Sequence, residues 1–239
     1  MSDFFYNLGR AAGRKLRKPK WILKSYFGSE EEALRSERAV GREMADQMLS
    51  ELRVSENAAY TSLISDVGNR LVQRVKNPLR RFDFYVFESS DVNAFALPGG
   101  FVFISNGLID LCRQNADEIA AVLGHEIVHI VSGHPLKRIM TSHSLNMIAA
   151  ALQKGGALGQ LAKQTITQLI QSSYSQENEF HADHYGTLLM GSAGFEREAA
   201  INMLRRMHDK QRGNPAGFNF FSTHPPLPER IRRLQKLIR

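Results

Sequence analysis

Apolar positions recur at helical spacing in the first and last parts of the chain and at a spacing near two only in its middle. Ser29 followed by Glu30, Glu31 and Glu32 predicts a helix start, because a serine cap and early acids satisfy the exposed N–H groups and the helix dipole. That helix should run to about Leu52. A second should begin after Ser55, carry Leu63, Val67, Leu71, Val72 and Val75 on one face, and stop at Asn77-Pro78. Phe82 to Glu88 then alternates as a strand, Pro98-Gly99-Gly100 makes a turn, and Phe101 to Ile104 is a short apolar strand. From Asn106 the spacing is helical again, through to a last helix over Leu227 to Ile238. The pattern predicts an α+β class, mainly helical, with one small β-sheet. No internal repeat or low-complexity tract interrupts it.

Charge separates the N-terminus from the rest. The 239 residues carry a formal net charge of +7. Residues 1–28 hold Arg10, Arg14, Lys15, Arg17, Lys18, Lys20 and Lys24 against Asp3, interleaved with Phe4, Phe5, Leu8, Leu16, Trp21, Ile22 and Phe27. We read 1–28 as a basic amphipathic N-terminal segment suited to peripheral contact with an anionic membrane surface. An arm packed on the domain is one alternative; a mitochondrial-type presequence is a weaker one, because the segment is poor in serine. Residues 29–239 are expected to form one domain, large enough to bury a core without disulfides. The lone Cys112 lies in an apolar run and is expected to be a buried thiol, which suits a reducing compartment. No stretch reaches about 18 uninterrupted apolar residues, and the aromatic residues precede the basic ones at the N-terminus, the reverse of a secretory signal. These features favour a cytoplasmic location or a peripheral one on a membrane. No nucleic-acid motif accompanies the charge, so no nucleic-acid partner is expected.

The chemistry concentrates in His125-Glu126-Ile127-Val128-His129, within the apolar run Ala120 to Val131. Residues four apart on a helix share a face, so both imidazoles can reach one ion, and neutral imidazole is a good zinc ligand. Glu126 follows the first ligand and can face the open position as a general base, activating a zinc-bound water. Burying these polar groups on an apolar helix would be costly without a partner. A catalytic zinc site needs a third protein ligand. On a continuous helix His134 is rotated by about 140° from His129, which makes it a surface or outer residue. The stretch Ser175 to Asp183 is the better source: Glu177, Glu179, His181 and His184 can each ligate, and Glu179 and Asp183 are one turn apart.

Four motifs in order, Asn93 to Gly100, His125 to His129, Ser175 to Asp183 and Thr223 to Arg230, make the chain resemble a zinc metallopeptidase family of gluzincin type. It includes the HtpX heat-shock proteases, the CAAX prenyl endopeptidases and the soluble BepA- and Oma-type quality-control proteases. The resemblance implies a zincin-type domain with an active-site helix and one Zn2+ per chain. It implies Glu179 as third ligand and Asp183 as the acid that follows it. Where the family pattern has arginine this chain has Gln176. The resemblance also implies that Gly100, Phe101, Val102 and Phe103 form an edge strand to which a polypeptide substrate adds as another β-strand. His224, in a proline-rich loop, either donates to the oxyanion or takes the open zinc position in a resting enzyme; Tyr185 is a further candidate donor. The soluble branch implies endopeptidase action on unfolded or misfolded proteins. A metal-binding chaperone-like module would be the reading if Glu126 were absent.

Overall fold

The computed structural model describes residues 29–141, 173–213, 224 and 227–238. The 1–28 segment and its expected membrane contact, and most of Thr223–Pro226, lie outside them. Helix α1 (Glu30–Glu51) starts where the acids predict: the Glu32 N–H donates to Ser29 Oγ at 3.3 Å and the Ser29 N–H to Glu32 Oε2 at 3.1 Å. Helix α2 (Ala58–Val72) begins after Ser55 as expected, with Asn57 as its cap. It ends at Val72, ahead of Asn77-Pro78, while Val75 still packs on the core.

Three strands follow, β1 (Asp83–Phe87), β2 (Ala94–Leu97) and β3 (Phe101–Ser105), in the order β1-β3-β2. β1 runs parallel to β3 with Asp83 opposite Phe101, and β2 antiparallel to it with Leu97 opposite Phe101. β2 was not expected as a strand. All four of its residues are buried, so no polar alternation marks it. The sheet also corrects the reading of Gly100 to Phe103. β3 is the central strand, both of its edges are paired, and Phe101, Val102 and Phe103 are fully buried. No substrate strand can add there. Among the described residues, β2 is paired on one side only.

Helices cover both faces of this sheet. Phe87, Phe95, Leu97, Phe101 and Phe103 point towards Val40, Met44, Ala45 and Met48 of α1, with the Tyr85, Phe103 and Phe95 rings stacked at 5.0 and 4.9 Å. Val86, Ala94, Ala96, Val102 and Ile104 face α2 and the apolar side of helix α4 (Ala116–Val131). The short helix α3 (Asn106–Leu111) leads from β3 towards α4, and Cys112 behind it is fully buried, as expected. The turn at Pro98-Gly99-Gly100 has positive φ at both glycines (74° and 102°), which side chains rarely adopt.

Beyond α4 come α5 (His134–Thr141), α6 (Gln176–Ser192), α7 (Glu198–Gly213) and α8 (Leu227–Ile238). Helices α4 and α6 pack most extensively against each other. They touch backbone to backbone where two glycines meet. A Cβ on Gly186 would lie 2.9 Å from the His125 nitrogen, and one on Gly124 would lie 3.0 Å from the Gly186 carbonyl oxygen. Among the described residues no helix is long and apolar enough to cross a membrane.

The crossing predicts the effect of one methyl group. Gly186→Ala forces backbone against backbone, at about 1–3 kcal/mol, which outweighs the ~1 kcal/mol that alanine gains in helix propensity. The urea midpoint should fall; a midpoint at or above that of the wild type would show that the helices have room.

Candidate metal centre

Helix α4 carries His125 and His129 one turn apart, and their Nε2 atoms converge to 3.0 Å. Helix α6 enters from the side. Its Glu179 places Oε1 3.3 Å from His129 Nε2 and Oε2 3.5 Å from His125 Nε2. His224 adds its Nδ1, which is 2.9 and 3.0 Å from the two Glu179 oxygens and 3.4 Å from His125 Nε2. All four side chains are buried, and their donor atoms lie within 4.8 Å of one another. The other candidates on α6 turn away: Glu177, His181 and His184 are exposed. Tyr185 is half exposed and packs on His181 and His184, outside the cluster.

The donor set fits a divalent cation. Three imidazole nitrogens and a carboxylate, aimed at one another inside the protein, match the nitrogen and oxygen ligands such ions take. A second observation points the same way. Both carboxylate oxygens of Glu126 are buried and have no hydrogen-bond partner among the described residues; the nearest ionisable nitrogen is His224 Nε2, 3.7 Å away. An uncompensated buried carboxylate is costly. This one stands beside the cluster, where a cation and a water would satisfy it.

Asp183 and Arg230 hold the cluster from behind. Asp183 Oδ1 lies 2.9 Å from His125 Nδ1, an acceptor for a proton on that nitrogen that turns Nε2 towards the cluster. The fully buried Arg230 forks onto Asp183 with two 2.7 Å bonds, donates to the His224 carbonyl at 3.0 Å, and reaches Glu179 at 3.2 Å. Burial alone would raise the Glu179 pKa, but the charges of His224 and Arg230 and the His125 hydrogen bond outweigh it and hold the carboxyl well below its usual range. Asp183 is likewise depressed, because the Arg230 charge and hydrogen bonds overcome burial. Burial pulls the His125 pKa down, yet the bonds from Asp183 and Glu179 raise it to about 9. His129 is pushed well below its ordinary value by burial.

Arg230 and Tyr174 went unread in the sequence, and His134 was left between a surface and an outer place. Arg230 stands with Leu227 and Leu234 at helical spacing on α8, and a lone arginine on an apolar stripe was the available signal. His134 is buried, with its Nδ1 2.9 Å from His129 Nδ1. It offers no atom to the cluster, as expected, but it is an outer partner of His129 and not a surface residue, because α4 does not continue to it. The chain breaks at Gly133, whose φ is 70°, and α5 starts afresh. Tyr174 is buried with its ring stacked on His129, and no periodicity could reveal that contact.

A helix-borne His-Glu-x-x-His pair completed by a glutamate from a later helix defines a metallopeptidase-type centre. The profile of peptidase family M48 matches residues 59–238, and the chain belongs to that family. It is 29% identical over 208 residues to the mitochondrial metalloendopeptidase OMA1 of Schizosaccharomyces pombe, over 78% of this chain and 60% of that protein. It is 27% identical over 184 residues to the metalloprotease LoiP of Escherichia coli, over 75% and 71%. It is 30% identical over 201 residues to the beta-barrel assembly-enhancing protease of Yersinia pestis, over 78% and 41%. The match thus spans 41% to 71% of these relatives' length.

Arg230→Met would strand Asp183 and Glu179 without their guanidinium, a loss of about 3–5 kcal/mol for a broken buried pair. The destabilisation should be larger in metal-free protein than with zinc present, because a bound cation restores positive charge. Urea unfolding with and without zinc measures it; equal losses in both would reduce Arg230 to a packing residue.

Proposed function

We propose that this chain is a zinc-dependent metalloendopeptidase that hydrolyses peptide bonds of unfolded or misfolded polypeptides, with His125, His129 and Glu179 holding one zinc and Glu126 as general base. The observation that carries it is the buried, unpartnered Glu126 carboxylate beside a cluster of imidazoles and a carboxylate. A bound zinc supplies Lewis-acid polarisation of the scissile carbonyl and of water. Glu126 takes the proton of the attacking water and delivers it to the leaving amine. Asp183, pinned by Arg230, keeps the His125 proton on Nδ1 and the ring aimed at the cluster.

The substrate is proposed to pair along β2, not β3. β2 is paired on one side only among the described residues, and it packs against both α4 and α5. Pairing through backbone groups reads an extended chain rather than a particular sequence, which suits unfolded substrates. The relatives' names, a metalloendopeptidase and a beta-barrel assembly-enhancing protease, accord with hydrolysis of peptide bonds. Between the two readings of His224, its placement among the donor atoms supports a resting ligand that must leave before substrate binds.

Glu126→Gln should keep one zinc per chain and lose casein digestion, whereas Glu179→Ala should lose most zinc and Glu177→Ala and His181→Ala little. Undiminished digestion by the glutamine variant would overturn the mechanism, and full zinc in Glu179→Ala would move the third ligand. As a resting ligand, His224 predicts that His224→Ala releases zinc to a chelator faster and digests casein at least as fast as the wild type. An oxyanion donor predicts unchanged zinc retention and a kcat lower by about 10²–10³.

A further inference from the structure

The two histidines of α4 are held in different ways. His125 has the carboxylate of Asp183 on its Nδ1, backed by Arg230. Among the described residues, His129 has no acid in the same place. Its Nδ1 meets the Nδ1 of His134 at 2.9 Å, and the Tyr174 ring lies on its own ring, centroids 4.1 Å apart and 23° from parallel. Both partners are buried. The Arg138 guanidinium, on the same helix as His134, sits 4.1 Å from the Tyr174 ring centroid.

We propose that His134 and Tyr174 form a clamp that positions His129 as a metal ligand. His129 turns Nε2 towards Glu179 and His125, so an Nε2 lone pair requires the ring proton on Nδ1. That Nδ1–H then needs an acceptor, and His134 Nδ1 is in place to accept it, which leaves the His134 proton on Nε2 and the ring neutral. The aromatic stack stops the imidazole from rotating about its Cβ–Cγ bond, which would swing Nε2 off the cluster. A neutral acceptor has a reason here. Glu126, Glu179 and Asp183 are already buried at the centre, and a fourth carboxylate would add uncompensated charge. The break at Gly133 makes the clamp available: with φ at 70° and open space where a Cβ would lie, the chain turns and sets His134 against His129 rather than away from it.

The clamp rests on the zinc reading of the four-residue cluster, and the test separates the two. The full chain is loaded with zinc and its release to an excess of chromophoric chelator is timed. The visible spectrum of the cobalt-substituted protein is recorded in parallel, with the unfolding midpoint of each metal-free variant. His134→Leu should hold zinc about 10–100-fold less well and alter the cobalt spectrum, while His134→Gln, whose side-chain oxygen can accept the same bond, recovers most of the loss. Tyr174→Phe, which keeps the stack, should behave as wild type, and Tyr174→Leu should release zinc faster. Wild-type release and spectrum in His134→Leu, or a lowered midpoint with an unmoved cobalt spectrum, would overturn the clamp. If His134→Leu does not fold, the tyrosine pair decides, since equal release from Tyr174→Phe and Tyr174→Leu overturns it as well. A wild-type chain that takes up no zinc would instead sink the reading of the centre itself.

Discussion

Two helices meet without side chains between them at Gly124 and Gly186, and the geometry of the centre is measured from that contact. From it, α4 runs on to His125 and His129, while α6 runs back to Asp183 and Glu179. The two helices therefore pass in opposite senses, and each step along one finds its partner on the other: Asp183 against His125, then Glu179 against His129. Asp183 and Glu179 are one turn apart, as are the two histidines, so a single crossing brings four side chains into register. A larger residue at either glycine would separate the helices by a fraction of an ångström, and donor atoms only 3.0 to 3.5 Å apart have no such margin.

The second constraint is electrostatic. Helix α4 is apolar along most of its length, and it carries two imidazoles and a carboxylate into the interior. Three acids and four imidazoles, His134 included, gather there with the guanidinium of Arg230, which is bonded to Asp183, Glu179 and the His224 backbone at once. In a low-dielectric interior such a set is stable only if positive charge is shared out among the acids. Arg230 serves Asp183 and Glu179, and the buried Glu126 is left without a hydrogen bond among the described residues. The division leaves the Glu126 carboxylate free, because no hydrogen-bond donor among the described residues reaches its oxygens.

Much of this was legible in the sequence, for reasons that differ by element. Helix α1 could be read from its cap, since Ser29 and Glu32 form a reciprocal bond that depends on local spacing alone. The His125–His129 pair was legible because helical period converts sequence distance into spatial proximity. Glu179 was not singled out by spacing, since four residues on one stretch could have served; it needed the family resemblance, and the structure then turned the other three outward. Strand β2 and the central position of β3 escaped the reading because strands buried on both faces lose their alternation, and pairing order is a long-range property. His134 was expected either at the surface or just behind the ligands, and the break after α4 sets it in the second place, against His129. One glycine in the left-handed region ended the helix on which the rotation was counted.

The position of Arg230 and His224 on the last stretch of the described chain has a consequence in time. His224 lies 99 residues from His125 and 45 from Glu179, so the centre closes two long loops and is no local property of its best-known motif. A chain that has made α4 but not yet docked α8 holds the His-Glu-x-x-His sequence without the guanidinium that lets the acids stay buried. The cluster is complete only once α8 docks, and an opening that lifts α8 away leaves Asp183 and Glu179 without their guanidinium.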